Sequence, residues 1–406
     1  MARASSVEHD LRLILWIQAL RAFVYGFGVV VLGAALARSG LSDAAVTLVF
    51  TAMLAGMALA SIAVGTAGDR VGRRRLYALL LGLMGAVGVV FALSQSVWVL
   101  SLVALTGTMS TDANESGPIT SLEQAMIGQA SAESRLRVFG RYNAVAYLAG
   151  ALGALTAGGP AFLHRVWAGA PQDQRWLLVF PLVAAACVAL AMRLSAGMEA
   201  GRDRPDRPLG RSRPTVVRLS ALFATDAFAG GFVVSSFIAF WFSRRFGASL
   251  ELMSAVFFAG GLLQAGSSIV AAGVGARVGL LRTMVLSHLP SNLLLMAVPL
   301  MPAVGPAVAC LLVRFALSQM DVPTRQAYIA GMVDPQERTA AAAFTNTSRY
   351  VARPFGQILA GPLMANVALG APFVVGGAIK CGYDLVLWRT FRRVELPEAA
   401  TPRPSG

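Results

Sequence analysis

The chain is organised by long apolar runs. Twelve of them, each near the length of about 20 residues that a bilayer-spanning helix needs, follow one another along the 406 residues. Only 13% of the residues are charged, against about 25% in a soluble domain, and the mean hydropathy is +0.65. The sequence therefore predicts an all-α integral membrane protein. The predicted spans, numbered 1 to 12, cover residues 11–36, 43–66, 76–94, 97–126, 138–160, 176–194, 217–242, 250–274, 282–301, 303–331, 339–366 and 370–391.

The basic residues lie mostly in short loops between these runs. The net charge of +14 includes 33 arginines and a single lysine, Lys380. With the N-terminus placed inside, 22 arginines fall on the inner side and five on the outer side. This bias predicts a multi-pass protein of the cell (inner, cytoplasmic) membrane, embedded in the lipid bilayer, with both termini cytoplasmic. Because the charge is not gathered on one soluble face, no nucleic-acid partner is expected.

No residue cluster indicates a catalytic or cofactor site. Cys187, Cys310 and Cys381 lie far apart within apolar runs, so neither a disulfide framework nor a zinc site is expected. The chain has no Gly-x4-Gly-Lys-Ser/Thr phosphate loop, no His-Glu-x-x-His metal motif and no Gly-x-Ser-x-Gly elbow. We therefore expect no enzyme activity, no cofactor and no bound metal.

The loop between spans 2 and 3 is short and highly charged. Residues 65–75 read Gly-Thr-Ala-Gly-Asp-Arg-Val-Gly-Arg-Arg-Arg, and the glycines permit a tight turn. This pattern resembles the loop signature between helices 2 and 3 of the major facilitator superfamily of secondary transporters. The resemblance implies twelve transmembrane helices in two pseudo-symmetric six-helix bundles. It also implies a gating role for the loop residues that match the signature: Gly65, Asp69, Arg70, Gly72, Arg73 and Arg74.

An internal repeat agrees with two bundles. Shifting the first half by 203 residues places Asn143 on Asn346 and Gly153 on Gly356, and a shift of 205 places Arg21 on Asp226. The repeated loop at residues 276–281 has lost the aspartate and two arginines. We predict bundles at 1–194 and 217–406, related by an axis along the membrane normal and joined by a cytoplasmic linker at 195–216.

Several charged residues fall at bilayer depth, where each costs about 2.5–3.5 kcal/mol and indicates function. On ideal helices these residues form stripes, which we expect to face protein or a water-filled cavity. The stripes hold Asp112, Glu115 and Glu123 in span 4, Arg314, Asp321 and Arg325 in span 10, and Asn346, Arg349, Tyr350 and Arg353 in span 11.

The resemblance implies that spans 1, 4, 7 and 10 line a central cavity. The residues then expected in the cavity or between the bundles are Arg21, Asp112, Glu115, Asp226, Arg314, Asp321 and Arg325. The alternative is that these charges form structural ion pairs, as the i, i+4 spacing of Asp321 and Arg325 permits. Arg21 and Asp226 occupy equivalent positions, and a bridge between them could form in one access state and break in the other.

These observations predict a monomeric secondary transporter that moves a small polar or anionic solute by alternating access, driven by protons. Six arginines at depth against five acids favour an anion. Proton coupling needs a buried carboxylate that gains and loses a proton, and Glu115, Glu123 and Asp226 are the candidates. Two alternatives remain. One is a multidrug or metabolite exporter that exchanges its substrate for protons, although the exporters' glycine-rich span 5 pattern is only partly present. The other is a non-transporting membrane receptor.

Overall fold

The computed structural model describes residues 2–112, 117–127, 132–171, 173–195, 209–333 and 337–393, and within these ranges the secondary structure is helical. The α-helices are α1 (Ala2–Arg38), α2 (Asp43–Val71), α3 (Arg73–Leu93), α4 (Val97–Ala104), α5 (Pro118–Ile127), α6 (Ala132–Thr156), α7 (Gly159–Val166), α8 (Val179–Ala191), α9 (Arg213–Gly231), α10 (Ser235–Phe246), α11 (Leu250–Val278), α12 (Leu280–Ala297), α13 (Val304–Ser318), α14 (Asp321–Met332), α15 (Arg338–Asn366) and α16 (Ala371–Phe391).

These helices fall into the twelve predicted spans, which confirms the fold class. Among the described residues, eight spans, 1–3 and 5–9, are long and apolar enough by length and composition alone to cross a membrane. The other four carry intramembrane charges, helix breaks or both. Large apolar side chains such as Leu102, Leu182 and Ile269 are 70–75% exposed, as expected for residues that face lipid.

Four spans are not the continuous helices that we predicted. Span 4 consists of α4 and α5, span 5 of α6 and α7, span 7 of α9 and α10, and span 10 of α13 and α14. The predicted stripe of Asp112, Glu115 and Glu123 is therefore wrong, because Asp112 lies in a non-helical stretch at residues 105–112. Glu115 lies outside the described residues.

The break in span 4 has a local cause. Its polar residues bond to nearby backbone groups in place of a helical ladder: Thr106 Oγ1 donates to the Val103 carbonyl, and Ser110 Oγ accepts from the Asp112 N–H. The freed Thr108 carbonyl accepts a hydrogen bond of 2.6 Å from the Tyr25 hydroxyl. The irregular backbone is thus satisfied by protein, as the membrane interior requires.

Spans 7 and 10 break for comparable reasons. Span 7 is interrupted at residues 232–234, after the paired glycines Gly230 and Gly231, which weaken a helix. In span 10, Pro323 has no N–H with which to continue the hydrogen-bonding ladder of α13, and the helix restarts at Asp321. Both breaks lie near the middle of their spans.

The turn between spans 2 and 3 is repeated in the second half. Gly72 separates α2 from α3 with φ +93°, and Gly279 separates α11 from α12 with φ +94°. Glycine adopts this conformation without the strain that a side chain brings. The repeated loop has therefore kept its backbone turn while losing its charges. Arg74 donates to the Met192 carbonyl after α8. The surroundings of Gly65 and the side chains of Asp69 and Arg70 lie outside the described part of the chain.

Backbone crossings confirm the register of the repeat. A Cβ built on Gly153 of α6 would lie 1.8 Å from the Phe23 carbonyl oxygen of α1. A Cβ on Gly356 of α15 would lie 1.9 Å from the Phe228 carbonyl oxygen of α9. Gly153 and Gly356 are 203 residues apart and Phe23 and Phe228 are 205 apart, which are the shifts found in the sequence.

We expect Gly153→Ala to destabilise the protein strongly, because the new methyl group would overlap the α1 backbone and force α1 and α6 apart. Gly82→Ala is the matched control: it adds the same methyl group to a helix where nothing lies within 4 Å. It should be neutral or slightly stabilising. Thermal unfolding in detergent compares the two variants. Equal stability of the two would contradict the close crossing.

The two halves pack as separate bundles that meet at one end. In the first half α1 packs on α6 and α3 on α8, and in the second α9 packs on α15 and α12 on α16. We call the end where α1 and α9 begin the terminal end and the opposite one the far end. The bundles meet through α2 with α15, α6 with α11 and α1 with α10. The domain boundaries stay predictions, and α9 begins at Arg213, within the predicted linker.

Candidate functional site

A buried ion pair lies inside the first bundle. Arg21 of α1 contacts Glu123 of α5 at 2.5 Å, and both side chains are at most 1% exposed. The Tyr77 and Tyr142 hydroxyls also donate to the Glu123 carboxylate, at 2.6 and 2.5 Å. Gln18 accepts a hydrogen bond from Arg21. Glu123 thus has partners on both oxygens, which favours a structural role over proton coupling.

The bridge between Arg21 and Asp226, which could form in one access state, is not formed in this structure and stays a prediction. Each residue pairs within its own bundle: Arg21 binds Glu123, and Asp226 of α9 binds Lys380 of α16 at 2.5 Å. The two are related positions of the repeat, and the repeat axis places them apart. Glu123 and Arg325 are also related, by a shift of 202. The second bundle therefore repeats the pair with the charges exchanged.

Asp226 is the centre of a larger group of buried ionisable and amide side chains. Arg325 of α14 lies 3.7 Å from Asp226 and 3.0 Å from Asp321. The i, i+4 pair of Asp321 and Arg325 therefore exists, and it is joined to Asp226 rather than isolated. We call the group the C-bundle cluster; its members are Asp226, His288, Asn292, Asp321, Arg325, Lys380 and Asp384.

Histidine and amide groups extend this cluster. His288 Nδ1 lies 2.8 Å from Asp384 Oδ1, and its Nε2 lies 3.7 Å from Asp226 Oδ1. The Asn292 amide donates to the other Asp384 oxygen at 3.0 Å. His288 thus stands between a carboxylate of α16 and a carboxylate of α9. It is 6% exposed.

The bundles are joined by an ion pair near mid-span. Asp112 of the first bundle binds Arg353 of α15. The same carboxylate accepts hydrogen bonds from the Ser235 backbone N–H, at 3.0 Å, and from the Ser235 hydroxyl, at the first turn of α10. A carboxylate is stabilised by the positive end of a helix dipole. We call the contact of Asp112 with Arg353 and Ser235 the latch.

Arg314 of α13 lies beside the latch without an ion-pair partner. Among the residues that the structure describes, no carboxylate lies within ion-pair distance of it, and its buried Nε atom has no hydrogen-bond partner. Asp112 of the first bundle and Asp226 of the second both act on it electrostatically. Close by, the Tyr147 hydroxyl of α6 bonds Gln319 at 3.0 Å across the bundle interface. Arg314 is therefore a cation on which acids of both bundles act, and no acid of the described part pairs with it directly.

The polar residues of α15 share one face of that helix. Asn346 is exposed, Arg349 and Tyr350 are partly buried, and Arg353 reaches the first bundle. A groove of about 500 Å³ lies on the other face, lined by Phe344, Val351 and Phe355 with neighbouring small residues. The residues that line this groove carry no charge, so it does not suit an ionic solute.

Sequence reasoning missed Lys380, His288 and Asp384, although all three fall inside predicted spans. The rule that charges at bilayer depth indicate function would have found Lys380 and Asp384 in span 12. Including them gives seven cations and six acids at depth, which leaves the predicted excess of one unchanged. Ser235 and Gln319 gave no comparable signal, because neutral polar residues are common in membrane helices.

The chain belongs to the Major Facilitator Superfamily, which it matches over residues 14–357. It is 26% identical to the uncharacterized membrane protein YJR124C of Saccharomyces cerevisiae over 427 residues, covering 96% of this chain and 95% of that one. A bacterial homologue of the human lysosomal transporter Spinster, solved in an inward-facing, occupied conformation, has a similar structure. Its TM-score is 0.73 and its identity 18%, over 95% of this chain and 98% of that one. A D-xylose–proton symporter has a TM-score of 0.73 at 14% identity, over 93% and 97%. The chain thus has the fold of this transporter superfamily.

Proposed function

We propose that the protein is a proton-driven secondary transporter that moves a small anionic solute between its two bundles by alternating access. It acts as a monomer in the cytoplasmic membrane with both termini in the cytoplasm, where the arginine bias places them. The solute binds beside Arg314, and Asp226, one of the three carboxylates that the sequence suggested for coupling, acts electrostatically on that arginine.

The observation that carries this proposal is the guanidinium of Arg314, which no carboxylate of the described residues pairs. Arg314 is partly buried, and an arginine at bilayer depth normally pairs with a carboxylate, because an unpaired charge is costly there. Three other arginines at depth, Arg21, Arg325 and Arg353, each bind an acid. The planar fork of Arg314 can bind two oxygens of a carboxylate or phosphate group. An anionic solute would supply the missing partner.

Three spans are interrupted near their middle. The breaks between α4 and α5, α9 and α10, and α13 and α14 lie near mid-span, and irregular backbone at membrane depth is tolerated where it lines a cavity or is covered by protein. Half-helix ends of this kind bind charged groups in transporters. Here the start of α10 holds the Asp112 carboxylate.

The contacts between the bundles favour a state that is closed at the far end. Arg244 of α10 lies 3.7 Å from Asp43 of α2, and Arg165 binds Glu251 at the start of α11. Ala239 of α10 packs against Gly33 of α1. The terminal half of the same span, α9, packs instead on α15 and α16. In the proposed orientation, the solute would reach Arg314 from the cytoplasm in this state.

We expect Asp112→Asn to weaken the latch and open the far end. Loss of a charge-assisted hydrogen bond, about 1.5 kcal/mol, shifts an equilibrium about tenfold. The reporter is Ala239→Cys in a background without Cys187, Cys310 and Cys381, because Ala239 is 1% exposed in the closed interface. Its labelling by a water-soluble thiol reagent should become about tenfold faster.

The control for that variant is Asp173→Asn. Its pair with Arg175, at 3.3 Å, is exposed and lies within one far-end loop of the first bundle. Labelling should not change there. An unchanged rate in Asp112→Asn as well would mean that the latch does not hold the bundles together.

A thermal-shift screen on the purified protein tests the proposed solute class. Small carboxylates and phosphates are compared with neutral analogues of the same size, in the wild type and in Arg314→Ala. A ligand that binds only the folded state raises its stability. We expect anions to raise the unfolding temperature of the wild type and not that of the variant. Stabilisation by the neutral analogues in both proteins would contradict an anion site at Arg314.

A further inference from the structure

The C-bundle cluster includes an imidazole, the side chain whose ordinary charge change lies nearest to neutral pH. His288 is the only histidine in the cluster, and an unperturbed imidazole titrates between about pH 5 and 8. Two of the three carboxylates around it are held by cations: Lys380 contacts Asp226, and Arg325 contacts Asp226 and Asp321. The third, Asp384, contacts His288 itself. The imidazole is thus a better candidate for exchanging a proton than Asp226 or Glu123, the two suggested carboxylates that the structure describes.

We propose that His288 carries the coupling proton. Asp226 faces the imidazole and transmits the protonation state of His288 to α9. The proposal rests on the proposed function, since coupling presupposes a transported solute. It assigns to Asp226 the role of relay rather than of proton carrier.

The geometry gives the two protonation states of His288 different contacts. Nδ1 faces Asp384 at 2.8 Å and Nε2 faces Asp226 at 3.7 Å. A neutral imidazole has one N–H, so it can donate to only one of these carboxylates, whereas the protonated ring can donate to both. Protonation therefore connects α12 to α16 and to α9 together.

Protonation of His288 also balances the charges within the cluster. The groups that face His288 are Asp384, Lys380 and the Tyr383 ring from α16, Asp226 from α9, and Asp321 and Arg325 from α14. Arg349 of α15 and Arg314 of α13 act on Asp226 electrostatically. Within the contact distances of the cluster, a protonated His288 gives three cations, with Lys380 and Arg325, for three carboxylates. A neutral His288 leaves one carboxylate in excess.

A path of contacts leads from this site to the latch. Asp226 lies on α9, and the chain continues through residues 232–234 into α10. The first residue of α10, Ser235, binds Asp112 of the other bundle. A change in the contact between His288 and Asp226 of α9 can therefore alter the far-end interface. No direct contact between His288 and the solute is needed.

Histidine NMR tests the proton site without any solute. The chain has three histidines, His9, His164 and His288, so isotope-labelled histidine gives few signals. His288→Gln identifies the His288 signal by its loss. If that variant does not fold, His9→Gln and His164→Gln identify it by elimination. We expect the His288 signal to titrate within the pH range over which the protein stays folded. A signal that stays constant over that range would overturn the proposal.

The reporter Ala239→Cys tests the coupling to the far end. The labelling rate is divided by that of a small model thiol at the same pH, because the thiolate is the reactive form. We expect this ratio to change severalfold across the titration of His288 and to be independent of pH in His288→Gln. His164→Gln is the control, because its ring bonds the Ala170 carbonyl in a far-end loop outside the cluster. A pH dependence that survives in His288→Gln would overturn the proposal. Absence of solute flux in the wild type would overturn the proposed function instead, so the two failures are distinguishable.

Discussion

Arg314→Ala should lower the rate of anionic solute flux by about 10- to 100-fold while the protein stays folded. A hydrogen bond to a charged group contributes about 1.5–3 kcal/mol, and each 1.4 kcal/mol corresponds to about tenfold in affinity. Arg314 has no ion-pair partner among the described residues, so its removal leaves none of their carboxylates unpaired. Stability should therefore change little, and the loss should appear in transport. Flux into vesicles that contain the purified variant measures it.

Two further variants sharpen this result. Arg314→Lys keeps the charge but loses the planar fork, and we expect an intermediate flux because lysine acts as a point charge. Arg392→Ala removes an exposed arginine at the end of α16 and should leave the flux unchanged. Wild-type flux in Arg314→Ala would exclude this arginine from the solute site.

Glu123→Ala should lower the free energy of unfolding by about 3–5 kcal/mol, because it leaves the Arg21 guanidinium buried without its counter-charge. The carboxylate also accepts hydrogen bonds from two tyrosine hydroxyls, so three donors lose their acceptor at once. Denaturant titration of the detergent-solubilised protein provides the measurement. The control is Glu8→Ala, whose pair with Arg12 is more than 70% exposed and should contribute less than about 1 kcal/mol.

A double variant tests whether Arg21 and Glu123 stabilise the protein as a pair. Adding Arg21→Met to Glu123→Ala removes the unpaired charge, and we expect it to recover part of the lost stability. The double-mutant cycle gives the coupling between the two residues. Independent, additive losses would show that Arg21 and Glu123 do not act as a pair.

The spans and the repeat could be predicted because they depend on local properties. Apolar length sets a span, and the glycines that permit helix crossings, Gly153 and Gly356, recur at a fixed shift. The turn glycines Gly72 and Gly279 follow the same logic, since their backbone conformation favours a residue without a Cβ. Such features are visible in the sequence without knowledge of the tertiary contacts.

The partners of the buried charges could not be predicted in the same way. An ideal-helix projection assumes a continuous helix, and the break at residues 105–112 removes that basis for Asp112. Arg21 and Asp226 have opposite charges at equivalent positions, but equivalence under the repeat does not bring them together. Lys380 bonds Asp226 on another helix rather than Asp384, which is four residues away on its own helix. Three-dimensional packing decides such choices.

Flux into proteoliposomes tests the central claim most directly. Vesicles that contain the purified protein are compared with protein-free vesicles, with and without an imposed pH gradient, using the anions that raise its thermal stability. We predict protein-dependent uptake of an anion that the pH gradient drives above equilibrium and that Arg314→Ala reduces by at least about tenfold. No protein-dependent flux of any stabilising anion would contradict that claim and would favour a receptor that binds the solute without transporting it.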